Sequence, residues 1–157
     1  MRHLDLFSGI GGFALAAKWI GITTTQFVEV DPFCQKVLQK NFPGVPIHDD
    51  VTTFTAPRGV FDIATGGYPC QDNSLANPRG KGLDGDRSGL WFEMLRVIDE
   101  CRPKMVVVEN VPPSRNRRWD ETVRRGLEEL DYKTKPSPAS GPIASPVLTP
   151  VPNRNRT

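Results

Sequence analysis

His3-Leu4-Asp5-Leu6-Phe7-Ser8-Gly9-Ile10-Gly11-Gly12-Phe13-Ala14 reads as a strand that breaks into a glycine turn and winds at once into a helix. Residues 9–14 fit G-x-G-x-x-G/A, and the helix continues through Ala17 to Ile20, with Gly21 as its C-cap. Such glycines take backbone angles closed to other residues and let a ligand approach the main chain. The same turn also serves simply to pack a helix on a sheet. Glu29 ends the next strand-like run, Thr24-Thr25-Gln26-Phe27-Val28, at the separation from the turn that suits a carboxylate on two ribose hydroxyls. A nucleoside cofactor is therefore expected. The pattern leaves a dinucleotide and S-adenosylmethionine equally open.

Further along, strand and helix patterns keep alternating. Pro32 suits a first helical position, and that helix runs to about Asn41. Val45–His48 is a short strand ending at Asp49-Asp50, and Val60–Thr65 is the next. A helix from about Ser88 to Cys101 leads into the apolar strand Lys104–Val108, and a last helix spans about Trp119 to Leu130. Solidly apolar strands alternating with helices predict an α/β fold with a parallel sheet covered on both faces. Ligands then bind beyond the carboxyl ends of the strands, near the point where strand order reverses. Ser8–Phe13, Glu29–Asp31, Asp50, Gly66–Ser74 and Glu109-Asn110 all fall at such ends.

Gly66-Gly67-Tyr68-Pro69-Cys70-Gln71-Asp72-Asn73-Ser74 delivers a thiol at a sharp turn, with glycines before it and a proline fixing its approach. Cys70 is either an activated nucleophile or a small buried hydrophobe. Asp50 is placed to accept from an adenine amine, or is an ordinary turn aspartate. Glu109 follows Val106-Val107-Val108 and is either a simple exit to solvent or an acid beside Cys70, its proton held by desolvation. Arg79, Lys81 and Arg87 lie in or beside a long polar loop that can meet phosphates or remain solvated. Arg115, Arg117, Arg118, Arg124 and Arg125 read as a solvated helix face.

The 157 residues suffice for one domain with a real core, and the net charge of +2 argues neither for nor against nucleic acid. Three widely spaced cysteines lack metal-ligand spacing and fit a reducing compartment, with Cys34 and Cys101 as structural residues. With no signal-peptide pattern and no spanning apolar run, the cytoplasm is the expected location. After about Lys133 the character changes. Pro136, Pro138, Pro142, Pro146, Pro150 and Pro152 punctuate a stretch with no helical period, read as an extended, disordered tail over 133–157.

Taken together, these motifs resemble the DNA (cytosine-5) methyltransferases over roughly residues 1–132. Asp5–Phe13 is similar to the family's first motif, which implies S-adenosyl-L-methionine contacts at Phe7, Ser8, Gly9, Ile10, Gly11 and Gly12. Glu29-Val30 is similar to the ribose-binding motif and Asp50-Val51 to the adenine-binding one. Pro69-Cys70-Gln71 is similar to the nucleophile motif, with Ser74 at a phosphate contact, and Arg79 and Arg87 are further expected DNA contacts. Leu90 falls in a motif lining the cofactor pocket, and Glu109-Asn110-Val111 where the family engages the target base. The resemblance implies a Rossmann-like methyltransferase sheet, double-stranded DNA as partner, and a restriction-modification or orphan role. It also implies a covalent Cys70 adduct on a flipped cytosine, with no metal.

Two departures accompany it. Asn73 stands where the family usually carries an aromatic, and the family's arginine motif has only Pro152-Asn153-Arg154-Asn155-Arg156 as a counterpart. The expectation is a truncated or frameshifted product lacking the target-recognition domain. A complementing C-terminal half would then restore activity, and without it the chain would be an inactive S-adenosylmethionine-binding fragment. The strand Lys104–Val108 would be left as an edge or paired only with irregular tail.

Overall fold

The computed structural model describes residues 1–68, 89–109, 117–134 and 147–150, with only the backbone of 117–120 and 147–150. In chain order the elements are β1 (Arg2–Leu6), α1 (Gly12–Trp19), β2 (Thr23–Val28), α2 (Pro32–Asn41), β3 (Ile47–His48) and β4 (Ile63–Gly66). They continue as α3 (Gly89–Cys101), β5 (Met105–Val108), α4 (Arg117–Glu129), β6 (Tyr132–Lys133) and β7 (Val147–Pro150). The strands form one sheet in the order β3-β2-β1-β4-β5-β7-β6. Pairings from β3 to β5 are parallel, as the alternating pattern predicts. The chain runs outward from β1 to β3, then returns to the other side of β1 at β4. The order therefore reverses between β1 and β4, which places the ligand-binding crevice at their carboxyl ends.

Boundaries moved where local chemistry outweighed periodicity. The first helix begins at Gly12, two residues before the apolar run, because Gly11 turns at φ 93° directly into it. Pro32 does open α2, and Asp31 caps it, its Oδ1 accepting from the amides of Phe33 at 2.7 Å and Cys34 at 2.9 Å. β4 starts at Ile63, since the preceding Asp62 is engaged sideways by the Arg2 amide at 2.8 Å and the Lys104 ammonium at 2.9 Å.

Of the two expectations for β5, an edge or a pairing only with irregular tail, the structure shows pairing with the tail, there formed as a regular strand. β7 pairs with β5 antiparallel, Val106 opposite Leu148 and Val107 opposite Val147, and β6 pairs with β7 in turn. The prolines of this region are spaced so that Val147-Leu148-Thr149 lies between Pro146 and Pro150, enough consecutive amides for a short ladder.

One face of the sheet buries Leu4, Leu6, Ala64, Val106 and Val108 in one core with Trp91, Met94, Val97 and Ile98 of α3 and Val123 and Leu127 of α4. Trp91 is completely buried; truncating such a ring costs about 3–5 kcal/mol. The other face holds a smaller cluster, Ala14 of α1 with Phe27 and Leu38. Period-two alternation along β1 turns His3 and Asp5 to this second face, and both are fully buried. A bulge in β2, where the register shifts between His3 and Leu4, brings both Thr24 and Phe27 onto the same face.

Candidate functional site

The glycine turn and the end of β2 are fastened together. Glu29 is nearly buried; its Oε2 accepts from the Gly9 amide at 2.6 Å and its Oε1 from the Asp31 amide at 2.8 Å. Ser8 donates through Oγ to the Asp5 carbonyl at 2.7 Å, and its amide reaches the Val28 carbonyl at 3.2 Å. Phe7, Gly9 and Gly11 all have positive φ, 53°, 54° and 93°. A Cβ at Gly11 would lie 2.7 Å from the Phe42 ring, so this glycine lets the turn press on the second helix. At Gly9 and Gly12 a Cβ would meet nothing within 4 Å, so both open onto free space. Ile10 and Val30 stand exposed on the joined loops, and Phe33 in the first turn of α2. An open backbone turn, a carboxylate with further lone pairs, and apolar side chains at the rim suit a nucleoside ligand.

Asp50 lies near the start of the loop that follows β3. Its Oδ1 accepts from the Thr52 amide at 2.8 Å and the Thr52 hydroxyl at 2.7 Å, and these bonds hold its carboxyl below the usual range. Val51 beside it is buried. This loop is pinned to α3 by Arg96, which donates to the carbonyls of Val51 at 2.8 Å, Phe54 at 3.1 Å and Thr52 at 3.4 Å. Glu93 and Glu100, each 2.8 Å away, hold the guanidinium in place. Arg96→Ala is expected to free the loop, lowering stability by about 1–2 kcal/mol in urea denaturation. Calorimetry should show nucleoside-cofactor affinity reduced about threefold to tenfold; unchanged affinity would mean that Asp50 plays no part.

The second half of the site lies where β4 and β5 end. The Glu109 amide donates to the Gly66 carbonyl at 2.9 Å. A Cβ on Gly67 would come within 3.0 Å of Glu109 Oε2 and 3.9 Å of the Phe13 ring, so the missing side chain leaves room for the carboxyl. Burial raises the Glu109 pKa, which favours its protonated form. Gly66 is required by packing, since a Cβ there would lie 2.7 Å from Met94 Cε and 3.3 Å from the Leu6 carbonyl. Tyr68 is buried with its ring 5.5 Å from that of Trp91, anchoring the chain just before Pro69 and Cys70. Leu90 packs half-buried against the same core.

Phe7, Ser8, the glycines, Glu29, Val30, Asp50, Val51 and Glu109 thus sit at the carboxyl ends of β1 to β5, as their order in the chain predicts. Pro69, Cys70, Gln71, Ser74, Arg79, Arg87 and Asn110 lie outside the described residues. Cys34 is half-buried and Cys101 buried, the latter with its thiol pushed up to about 11 by burial. Arg124 and Arg125 pair with Glu128 and Glu121 one turn away, as on a solvated helix face. Among the described residues no group of His, Cys, Asp or Glu could hold a metal, and no helix is long and apolar enough to cross a membrane.

Sequence reasoning missed the polar row beneath α1. Thr24 Oγ1 lies 2.9 Å from His3 Nδ1, His3 Nε2 lies 2.8 Å from Thr65 Oγ1, and Thr65 donates to Asp5 Oδ1 at 2.7 Å. Since the Thr65 proton goes to Asp5, its oxygen accepts from His3 Nε2–H, and His3 Nδ1 accepts from Thr24. The imidazole is neutral, its pKa pushed down to about 4 by burial. The signal was present in the alternation His3-Leu4-Asp5-Leu6, which places two polar groups on one strand face.

The family model for C-5 cytosine-specific DNA methylases matches residues 1–137. The type II methyltransferase M2.BsuMI of Bacillus subtilis is 43% identical over 116 residues, covering 71% of this chain and 29% of that protein. M.HhaI of Haemophilus parahaemolyticus is 36% identical over 137 residues, covering 84% of this chain and 41% of its own length. The fold is similar to that of the S. pombe Dnmt2 methyltransferase, with a TM-score of 0.76 at 22% identity over 96% of this chain and 51% of that one. The chain therefore spans well under half the length of the two curated relatives.

Proposed function

The chain belongs to the C-5 cytosine-specific DNA methylase family, and on that premise we propose that it binds S-adenosyl-L-methionine and methylates cytosine C5 in double-stranded DNA. The observation that carries this is the meeting of three features at the β1/β4 reversal. These are the open glycine turn, the Glu29 carboxylate clamped across it, and Glu109 against Gly67. Gly9 to Gly12 would receive the cofactor's backbone-facing side, Glu29 its ribose, and Asp50 and Val51 its adenine, with Val30, Ile10 and Leu90 as apolar walls. When bound, the cofactor supplies an electrophilic methyl group.

The chain's own residues prepare the acceptor. The target base must leave the duplex, because its C5 and C6 edges are otherwise stacked. The Cys70 thiolate bonds to C6 while Glu109 protonates or hydrogen-bonds N3, shifting electron density to C5. C5 takes the methyl group, its proton then departs to a base, and the Cys70–C6 bond breaks to return the thiolate. Pro69 and Gln71 set the thiol's approach, Asn110 supports Glu109, and Ser74, Arg79 and Arg87 grip the DNA backbone.

A second reading has the chain bind the cofactor without turning over, and relative coverage favours keeping it. These 157 residues cover only 29% and 41% of the lengths of the curated relatives, and in this reading DNA recognition rests on sequence beyond them. Calorimetry with S-adenosylmethionine and labelled methyl transfer to cytosine-containing duplex separate the two. Binding without sequence-specific transfer is expected from these 157 residues alone, and transfer once the complementing half is added. Robust transfer by the 157-residue chain alone overturns the need for a second half; absence of binding overturns the cofactor assignment.

A further inference from the structure

A sheet covered on both faces is expected to be apolar on both. Here the face under α1 carries Thr24, His3, Thr65 and Asp5 in one hydrogen-bonded row, while the opposite face of the same strands is Leu4, Leu6 and Ala64. The row has a fixed direction, Thr24 to His3 to Thr65 to Asp5, and it ends on a completely buried carboxyl group. Asp5 Oδ2 accepts no well-formed hydrogen bond among the described residues. Nothing in the packing requires that atom to be a charged oxygen.

The place of Asp5 gives it a use. It lies in the strand that enters the glycine turn, and the Ala14 amide in the first turn of α1 favours its charged form. Glu29, at the end of β2, is a like charge that opposes its ionisation. His3 on the same strand is neutral. Neither β2 nor β4 carries a titratable side chain within its bounds, and α1 carries only Lys18, in its last turn. Among the described residues of these elements, no cation lies beside the buried carboxyl. A cationic ligand seated on the open side of the glycine turn would bring a positive charge to this end of β1.

We propose that Asp5 is a positioning residue that senses the charge of the bound cofactor, becoming ionised when the sulfonium form occupies the turn and taking up a proton when the neutral thioether form replaces it. This rests on the assignment of S-adenosylmethionine to the glycine turn. The proton balance is explicit: the Asp5 carboxylic acid gives one proton to solvent as the cationic ligand binds, and regains one when the neutral product does. The His3–Thr65 row keeps a donor on Oδ1 in both states, so only Oδ2 changes. Burial, opposed by Thr65 and Ala14, pushes the Asp5 pKa up to about 7, so the exchange falls near neutral pH. The buried carboxyl thus favours the methyl donor over the spent product through the field inside the site rather than by contact.

The test is calorimetry of the full chain with S-adenosylmethionine and, separately, S-adenosylhomocysteine, in buffers of different ionisation enthalpy. At pH 7 the methylated cofactor should release about half a proton per site, and its affinity should rise about fivefold from pH 6 to pH 7. The demethylated product should release markedly less. Asp5→Asn should flatten the pH profile and abolish the release. Thr65→Val, which deletes the donor to Oδ1 together with the acceptor of His3 Nε2–H, should move the profile to higher pH, so the proposal does not depend on one variant folding. Equal proton release with both ligands, or a profile unchanged in Asp5→Asn, overturns this proposal while leaving the cofactor assignment standing. No binding of either ligand overturns both.

Discussion

Glu29→Ala should weaken S-adenosylmethionine binding by at least about a hundredfold in calorimetric titration, since charge-assisted hydrogen bonds contribute about 1.5–3 kcal/mol each. The carboxylate has two duties. It already accepts from the Gly9 and Asp31 amides at 2.6 and 2.8 Å, so its removal leaves both donors unpaired and lets the glycine turn part from the second helix. It also offers the remaining lone pairs that two ribose hydroxyls would use. Glu29→Gln separates these duties poorly, because the amide nitrogen would face one backbone N–H donor to donor. It should approach alanine in effect. Urea denaturation should show about 2–4 kcal/mol lost in the alanine variant. An affinity within threefold of the unaltered chain would remove Glu29 from the cofactor site.

The loss of stability at Glu29 contrasts with Asp5, where the fold holds a charge that weakens it. A carboxyl raised from 3.8 to about 7 stays protonated in the folded state over a range in which the unfolded chain has ionised. The sign follows directly: Asp5 carries no penalty below pH 3.8, costs progressively more as pH rises to about 7, and then levels off. The full effect is on the order of a few kcal/mol. A group that destabilises the fold at working pH, its burial only partly offset by Thr65 and Ala14, is the kind of residue kept for a site.

Much of this was legible in the chain itself. Glu29, Asp50 and Glu109 each come just after a strand, and a parallel sheet gathers such residues at one edge whatever the loops do. Pro32 opened its helix because its fixed φ and missing donor suit that position. What escaped were features whose signal in the chain is weak or points two ways. His3-Leu4-Asp5-Leu6 alternates polar and apolar residues, and only the hydrogen bonds to Thr24 and Thr65 show how a covered face accommodates the polar pair. β7 escaped because prolines were counted along the whole segment rather than by the gaps between them. Arg96 escaped because its partners are carbonyls more than forty residues away, and a helix charge flanked by Glu93 and Glu100 reads first as a surface pair.

Cys70→Ala and Glu109→Gln should both abolish or cripple methyl transfer, but by amounts and pH dependences that separate their roles. Without the thiolate, C5 of cytosine has no route to becoming a nucleophile, so the alanine variant should lose at least about ten-thousand-fold in labelled transfer. Without an ionisable carboxyl at Glu109, the adduct still forms but N3 is only hydrogen-bonded; a loss of about 10²–10⁴-fold is expected. The room left at Gly67, where a Cβ would come within 3.0 Å of Glu109 Oε2, keeps the carboxyl against β4 just ahead of Cys70. Burial raises its pKa. If Glu109 acts as the acid, transfer falls as pH rises through that raised value, and Glu109→Gln removes that limb of the profile. The assay requires a preparation that transfers methyl groups, the chain alone or with a complementing half, and cofactor affinity should stay within about threefold in both variants. Persistence of the limb in Glu109→Gln would assign the proton to another group, and transfer by Cys70→Ala would exclude the covalent route.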